Sequence, residues 1–538
     1  MAIPQSPIQM NTENNRREDM SPGELEGAET NTNGPSGVPV TDTEAQLHLE
    51  ELRKEHGATW DGPDDPNNPY NWSPLRKNSI GILYSLGGLT TLMSASMIAA
   101  ALEDIIRDLH ISPSTAQIVF STYFLGLGFG PFIMAASSEM YGRKMVWVYA
   151  QLFYVTWNTL SPVGNSTALM IVGRLMSGIG SSAGNTLTAP VMADMYGEED
   201  RGKSLAVASL LPYLGPALGP ILGGVITQFL NWRWVFWIMS ILNVVLTLLG
   251  LVFIRESYTP ALLRRKAAKE AAAAVGISRA SICDSSTSSR MSVPEVSNSP
   301  ESFWQRFSTH LLRPIKLFLH RPIIHLLSFA LAVNFGVYSF LLSTFATLFL
   351  GPHYNQSKSQ ASLHYITLSV GATAATQIGA RVMDIIYARL AKHYSSEEAR
   401  PEFRVPYMVP GVILAAVGAF WYGWAAEYKV HWAVVDVGAA VFTMGNFVAA
   451  QAITAYQLDE FGDYAASAGA ACRMPMYTAG FAFPIFAPKL YDALGYGWGN
   501  SVIGLLWIVL GWPIPVVMWV WGRKLRAMRF GGTHWMKE

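Results

Sequence analysis

Long apolar runs alternate with short polar segments along most of the chain. Each run has the roughly 20 residues that an α-helix needs to cross the hydrocarbon core of a bilayer. Twelve runs fit this description and are numbered spans 1 to 12: residues 81–101, 116–136, 145–163, 168–191, 204–229, 234–254, 323–350, 363–386, 407–426, 432–456, 464–488 and 502–521. Because a helix satisfies its backbone hydrogen bonds without water, the pattern predicts an all-α polytopic membrane protein with about twelve transmembrane helices.

Polar segments divide the spans into two groups of six. We expect a disordered cytoplasmic N-terminus (1–72), a six-helix bundle (73–255), a cytoplasmic central loop (256–318), a second six-helix bundle (319–522) and a cytoplasmic tail (523–538). The first segment is rich in Asn, Glu, Gly, Pro and Ser, which offers little to build a core. In the central loop, apolar residues recur at steps of three and four from Phe303 to Phe318. They predict an amphipathic helix that lies on the membrane surface or packs under the bundle.

Composition supports a membrane protein and argues against other classes. Charged residues make up 14% of the chain, against about 25% in soluble domains. The formal net charge is zero, so no nucleic-acid partner is expected. The two cysteines lie in a loop and in a span, and the histidines show no paired spacing. We therefore expect no disulfide, no metal site and no enzyme, and the polar start of the chain predicts no cleaved signal peptide.

Basic residues set the expected orientation. Lys and Arg collect in the loops after spans 2, 4 and 8 and in the tail, whereas the loops on the opposite side hold at most one each. By the positive-inside rule, both termini face the cytoplasm. The sequons at Asn165 and Asn355 then lie outside, where glycosylation is possible, although chance sequons are common and their use stays open.

Span 5 contains the sequence LGPALGPILGG at residues 214–224. An interior proline costs an ordinary helix about 3 kcal/mol, but neighbouring helices offset this loss inside a membrane. Gly215, Gly219 and Gly223 recur every four residues and share one face, with Pro216 and Pro220 between them. A bare face of this kind lets another helix approach closely.

Four further segments carry a family resemblance. They are SSEMYGRK (137–144), GRLMSGIG (173–180), NWRWVFW (231–237) and RESYTPALLRRK (255–266). With residues 214–224, and in this order, they resemble the signatures of the major facilitator superfamily, and within it the twelve-span drug:proton antiporters of fungi. The resemblance runs from about residue 65 to residue 526. It implies two six-helix bundles that rock against each other, and export driven by a proton gradient without a cofactor. We expect the glycine face of span 5 to pack on span 8 across the interface between the bundles.

Charged residues in or beside the spans are candidates for proton coupling and gating. An arginine at bilayer depth costs about 2.5–3.5 kcal/mol, so Arg174 should face the bundle interior. There it either acts on a neighbouring carboxyl, gates proton exchange or ties helix ends together. The loop around Glu139 and Arg143 either forms a charge lock or only fixes topology. The predicted set is Glu139, Arg143, Arg174, Asp194, Arg201, Asp384, Asp436 and Arg473, with the proton acceptor expected among its acids.

Aromatic, methionine and amide side chains at helical spacing suggest a substrate cavity. A lining of this type suits amphipathic organic molecules of varied shape. The predicted lining is Met93, Met97, Tyr123, Asn185, Tyr213, Asn334, Tyr338, Gln377, Phe442, Asn446, Tyr477 and Phe481. For any one of these residues, ordinary helix packing is an equally good explanation.

The combined expectation is a monomeric exporter in the plasma membrane. Its substrate would be a small amphipathic drug, toxin or fungal secondary metabolite, and protons moving inward would drive export. A proton-coupled importer or uniporter is the alternative within transport. A receptor that has lost transport is the alternative from another class.

Overall fold

The structure, a computed structural model, describes residues 49–54, 56–62, 64–282, 303–394, 400–462 and 465–529. Inside its helices, the side chains of 198–207, 209–210, 272–282, 303–310 and 465–466 are not described, so the prediction for the Arg201 side chain lies outside the described part. No strand occurs in these ranges, and helices stand at all twelve predicted span positions. The all-α polytopic fold is therefore confirmed.

Spans 1 to 6 form the N-terminal half. Their helices are Pro74–Ser96, continued by a 3-10 turn Met97–Ala101 and by Leu102–Leu109; Pro113–Tyr141; Arg143–Leu160; Thr167–Thr186, continued by Thr188–Met195; Glu198–Phe229; and Arg233–Phe253. Spans 2 and 4 approach each other closely at Gly126 and Gly178. A Cβ on Gly126 would come within 2.7 Å of the Gly178 Cα. Small residues allow this close backbone approach.

Spans 7 to 12 form the C-terminal half. Their helices are Pro322–Leu350; Tyr365–His393, preceded by a short helix Lys358–Leu363; Met408–Glu427, preceded by a 3-10 turn Pro401–Tyr407; Trp432–Phe461; and Ala465–Gly511 with Pro513–Ala527. Gly495 has a φ of 70° and separates span 11 from span 12 inside the long helix. Among the described residues, seven helical segments are long and apolar enough by themselves to cross a membrane, and one of these joins spans 11 and 12.

The last described residues before span 1 make specific contacts. Trp60 and Trp72 are buried, and the Asp65 carboxylate accepts hydrogen bonds from the backbone amides of Asp61 and Asn67 at 3.0 and 2.8 Å. Burial alone would raise the pKa of Asp65, but these hydrogen bonds outweigh it and the pKa lies below its ordinary value. These contacts involve two buried tryptophans and one capped turn, which the polar composition of the segment does not indicate.

The central loop contains two described helices, Thr259–Ile282 and Phe303–His320. The first was not predicted; it buries Ala261 and Leu263. The second is the predicted amphipathic helix. Its described part buries Pro314 and Leu317 and leaves Ile315 exposed, and the helix contacts span 2 and the long helix Ala465–Gly511.

Candidate functional site between the two halves

Both described ends of the chain lie on one side of the bundle, here called the terminal side. Lys266, after span 6, contacts Asp61 of the N-terminal segment, and Arg526, after span 12, pairs with Glu402 before span 9. The opposite side is called the far side. It carries the loop between spans 7 and 8.

On the far side the two halves are in contact. The Lys358 Nζ atom of the C-terminal half lies 2.7 and 2.5 Å from the two carboxylate oxygens of Asp104 in the N-terminal half. One residue further, the Ser359 amide donates to the Gln228 side chain at 3.0 Å. Gly224 of span 5 lies against Ser362 of the same short helix. These contacts close the far side.

At mid-depth the halves meet through an aromatic cluster. Phe124 of span 2 packs edge-on against Phe335 of span 7 at 5.2 Å and stacks on Tyr477 of span 11 at 6.3 Å, both between ring centroids. The chain of ring contacts continues through Tyr338 and Phe447 to Tyr213 of span 5. The aromatic cluster is therefore Phe124, Tyr213, Phe335, Tyr338, Phe447 and Tyr477. Its three tyrosines are among the predicted lining residues, whereas its three phenylalanines are not.

Towards the terminal side the halves separate. Tyr477 is buried against the N-terminal half, and a Cβ on Gly128 would lie 3.3 Å from the Tyr477 Cβ. One turn nearer the terminal side on the same face, Arg473 is exposed. Gln377 of span 8 is exposed as well, and Phe481 is half-buried. The described contacts between the halves thus lie on the far side and at mid-depth, and Arg473 is exposed one turn closer to the terminal side.

Several predicted lining residues instead make contacts within one half. Asn334 and Asn446 exchange hydrogen bonds, each donating its side-chain amide to the other's backbone carbonyl at 2.9 and 3.0 Å. They join spans 7 and 10. Phe442 packs on Gly418 of span 9, away from the other half. Amide and aromatic spacing identified interior faces, but it did not distinguish the interface between halves from the interior of a half.

Arg174 is fully buried inside the N-terminal half. Its guanidinium donates to the Ser94 carbonyl at 3.0 Å and lies 4.3 Å from the Tyr123 ring centroid. Its Nε atom has no partner among the described residues. With Met97 it borders a small void inside this half. Its described contacts include no carboxyl, so the predicted action on a neighbouring acid finds no partner here. Asn185 also faces span 1, at Gly88.

Tyr123 belongs to a buried hydroxyl network rather than to the aromatic cluster. Its hydroxyl donates to Ser181 at 2.6 Å and lies 3.1 Å from the Thr91 carbonyl. A second pair, Ser94 and Tyr154, lies beside Arg174 at 2.6 Å. This network joins spans 1, 2, 3 and 4.

A charge clamp lies at the terminal end of the N-terminal half. Arg143 donates to Asp194 at 3.1 Å and to Ser138 at 2.7 Å. The missed member is Glu256, whose carboxylate accepts from the Arg143 backbone amide at 2.7 Å. It thereby caps span 3, where a carboxylate also interacts favourably with the helix dipole. Glu139 lies half-buried one turn before Arg143.

The C-terminal half carries an equivalent clamp. Arg404, before span 9, pairs with Asp384 at the end of span 8 and with Asp459 at the end of span 10, at 2.8 and 2.9 Å. Its guanidinium lies over the Tyr387 ring, as that of Arg143 lies over Tyr258. Only Asp384 was predicted. The two clamps occupy corresponding places, before the third span of each half and at the end of the fourth.

Asp436 has a buried partner that the sequence did not suggest. His364, at the start of span 8, places its Nδ1 atom 2.7 Å from an Asp436 carboxylate oxygen and its Nε2 atom 2.8 Å from the Gln356 side-chain oxygen. The imidazole stacks on Phe349 at 3.7 Å between ring centroids. The second Asp436 oxygen has no partner among the described residues. His364 also ends the short helix that carries Lys358.

The glycine face of span 5 packs on span 1, which corrects the prediction of span 8. A Cβ on Gly215 would come within 2.6 Å of the Leu92 Cβ, and one on Gly219 within 2.7 Å of the Met93 carbonyl oxygen. Gly223 lies against Met97. Both helices belong to the N-terminal half. The next residue, Gly224, is the one that faces the other half.

The remaining predicted sites lie on the far side. Asn165 is exposed and accepts a hydrogen bond from Arg233 at 2.6 Å, and Asn355 is exposed with a φ of 44°. The described residues contain no group of three or more His, Cys, Asp or Glu side chains that could hold a metal ion.

Comparison with known proteins places this geometry in context. The family model described as Major Facilitator Superfamily matches residues 84–484. The MFS transporter cpaT of Aspergillus oryzae is 35% identical over 91% of this chain and 96% of its own length. The efflux pump vrtL of Penicillium aethiopicum is 32% identical over 87% and 90%. Among solved structures, a D-xylose-proton symporter superposes with a TM-score of 0.58 at 17% identity, covering 82% of this chain and 97% of its own.

Proposed function

Because the chain belongs to the major facilitator superfamily, and is therefore a membrane transporter rather than an enzyme, we propose that it exports small amphipathic organic compounds by alternating access. The observation that carries this proposal is the aromatic cluster, which both halves build at mid-depth. Aromatic side chains give a large contact area with little demand on substrate shape. Drugs, toxins and secondary metabolites fit such a site.

The direction of transport is proposed from two features. Residues 214–224 match the sequence pattern that exporters of this superfamily carry in span 5, and the fungal relatives include proteins named as efflux pumps. The structural neighbours that carry xylose support the fold alone. Basic residues in the terminal-side loops support cytoplasmic termini in the plasma membrane. The interface between the two halves lies within one chain, so a second chain is not needed to form it, which agrees with a monomer.

Inward movement of protons is the proposed energy source, with no cofactor. One proton crossing about 100 mV supplies roughly 2.3 kcal/mol. A tenfold proton gradient adds about 1.4 kcal/mol. The sum of about 3.7 kcal/mol supports a gradient of several hundredfold when one neutral substrate exchanges for one proton.

We place proton binding at His364 and Asp436. A buried carboxylate with one unpartnered oxygen beside an imidazole can take up a proton without leaving the interior. His364 of this pair ends the short helix Lys358–Leu363, which carries the far-side contact of Lys358. A change in the charge of the pair therefore acts directly on the closure of the far side. The clamps around Arg143 and Arg404 are proposed to hold the terminal ends of the two halves during the same cycle.

Export is tested in yeast cells that lack their own drug exporters. Cells expressing the chain should accumulate less of a fluorescent dye or toxin from a broad panel, and a protonophore should abolish the difference. Tyr477→Ala should reduce export and Tyr477→Phe should preserve it, because the ring rather than the hydroxyl makes the contacts with Phe124 and Phe335. Greater accumulation would indicate an importer, and no effect across the panel would favour a receptor.

A further inference from the structure

Arg473 faces the interface between the halves. It lies four residues before Tyr477 on span 11, so the two side chains share one helix face. Tyr477 on that face contacts Phe124 and the glycine at position 128 of the N-terminal half. Gly480, on the same face, lies against Phe335 of span 7. Arg473 therefore lies on the face of span 11 that meets spans 2 and 7, one turn closer to the terminal side than the aromatic cluster.

Arg473 also lies at bilayer depth. It is eight residues from the helix start at Ala465, which is about 12 Å along a helix. A guanidinium exposed to hydrocarbon at this depth costs about 2.5–3.5 kcal/mol, yet the side chain is exposed. Its surroundings must then be water, which reaches it through the opening on the terminal side.

Unlike the cations at both ends of the bundle, Arg473 has no acidic partner among the side chains that the structure describes. Lys358 pairs with Asp104, Arg404 with two aspartates, and Arg526 with Glu402 and Glu460. Arg473 forms no hydrogen bond or ion pair with any side chain that the structure describes. Its nearest functional neighbour is the aromatic cluster, one turn deeper. The opening therefore presents a hydrated guanidinium directly below aromatic rings.

We propose that Arg473 is the anion-binding residue of the substrate site and that the preferred substrates are aromatic organic anions. A carboxylate or sulfonate matches the planar donor pattern of a guanidinium in two parallel hydrogen bonds. The aromatic body of the same molecule then reaches Tyr477, Phe124 and Phe335. Aromatic organic anions would thus be the substrate class of the proposed exporter. Their transport through this site rests on the proposed function, whereas their binding to Arg473 does not.

The test uses two dyes that share one ring system and differ in charge. Fluorescein is an anion near neutral pH and rhodamine 6G is a cation. Binding of each to the purified full chain in lipid nanodiscs is followed by fluorescence anisotropy. The wild-type chain should bind fluorescein at least tenfold more tightly than rhodamine 6G. Binding alone is measured, so the outcome does not depend on the direction of transport or on proton coupling.

Three variants locate the effect. Arg473→Gln should weaken fluorescein binding by roughly tenfold, which corresponds to about 1.4 kcal/mol, and leave rhodamine 6G unchanged or tighter. Arg473→Lys should retain the preference for the anion, with weaker binding, because the charge remains and the fork of donors is lost. Arg523→Gln, at an exposed arginine in the last helix, is the matched control and should bind both dyes as wild type does.

Fluorescein binding that survives Arg473→Gln would overturn the proposal, and so would a wild-type chain that binds only the cation or neither dye. A melting temperature for each variant excludes misfolding as the cause of lost binding. If anion binding depends on Arg473 while cells show no export, the export proposal fails and the assignment of Arg473 stands.

Discussion

Gly219 of span 5 lies so close to the Met93 backbone of span 1 that a Cβ on Gly219 would come within 2.7 Å of the Met93 carbonyl oxygen. Backbone atoms cannot move aside as a flexible side chain can, so Gly219→Leu must push span 1 away from span 5. We expect this variant to insert in the membrane and to lose export. Forcing extra atoms into a packed interface typically costs about 1–3 kcal/mol, which should appear as a lower melting temperature.

The control is Leu218→Met, because Leu218 lies on the exposed side of the same turn. It should transport like wild type. Normal export by Gly219→Leu would mean that the contact with span 1 is unnecessary for the transport cycle.

The far-side contact between Lys358 and Asp104 is expected to hold the closed state. Both carboxylate oxygens face the ammonium group, and the Asp104 side chain is 9% exposed. Removing one charge should therefore raise the population of molecules with an open far side roughly fivefold, which corresponds to about 1 kcal/mol. Lys358→Gln should lengthen the distance between spin labels at Leu230→Cys and Ile366→Cys, two exposed positions on opposite halves.

Labelling requires a background in which Cys283 and Cys472 are replaced by serine. The matched control is Arg107→Gln, since Arg107 also touches Asp104 but its side chain is 82% exposed. An unchanged distance distribution in Lys358→Gln would contradict the assignment of this pair to the closed state.

Glu256 and Arg143 should contribute strongly to the stability of the N-terminal half. Arg143→Gln leaves the mostly buried Asp194 carboxylate without its cation, and breaking such a pair costs about 3–5 kcal/mol. Glu256→Ala removes the acceptor for the first amide of span 3, with an expected cost of about 1 kcal/mol. Thermal unfolding of the purified chain measures both losses.

Arg265→Gln provides the comparison for these two variants, because Arg265 is exposed and donates to the Tyr141 carbonyl at 3.3 Å, with no ion pair among the described residues. We expect its melting temperature to stay within the error of wild type. Equal melting temperatures for Arg143→Gln and Arg265→Gln would show that the clamp does not stabilise the fold.

The sequence predicted the fold more fully than the site, and particular residues show why. Span positions follow from hydropathy, which is a local property of the chain. The partner of the Gly215–Gly219–Gly223 face is not local, because a bare helix face accepts any neighbour that the bundle brings to it. Glu256 lies 113 residues from the amide it caps. His364 stands outside any charged cluster in the sequence, so only the folded chain pairs it with Asp436, 72 residues away.

The pair formed by His364 and Asp436 should couple proton movement to transport. Titratable neighbours on the packed elements are Tyr354, whose pKa is raised by burial and by the Asp436 charge, and His353, which contacts the Lys429 carbonyl. In vesicles, drug-driven proton movement should be lost in Asp436→Asn and reduced in His364→Gln, because each change removes one partner of the 2.7 Å contact. His353→Gln, in the same loop but exposed, should move protons as wild type does. Unimpaired proton movement in Asp436→Asn would remove this pair from the coupling mechanism, whereas equal loss in all three variants would show that the effect does not depend on this pair.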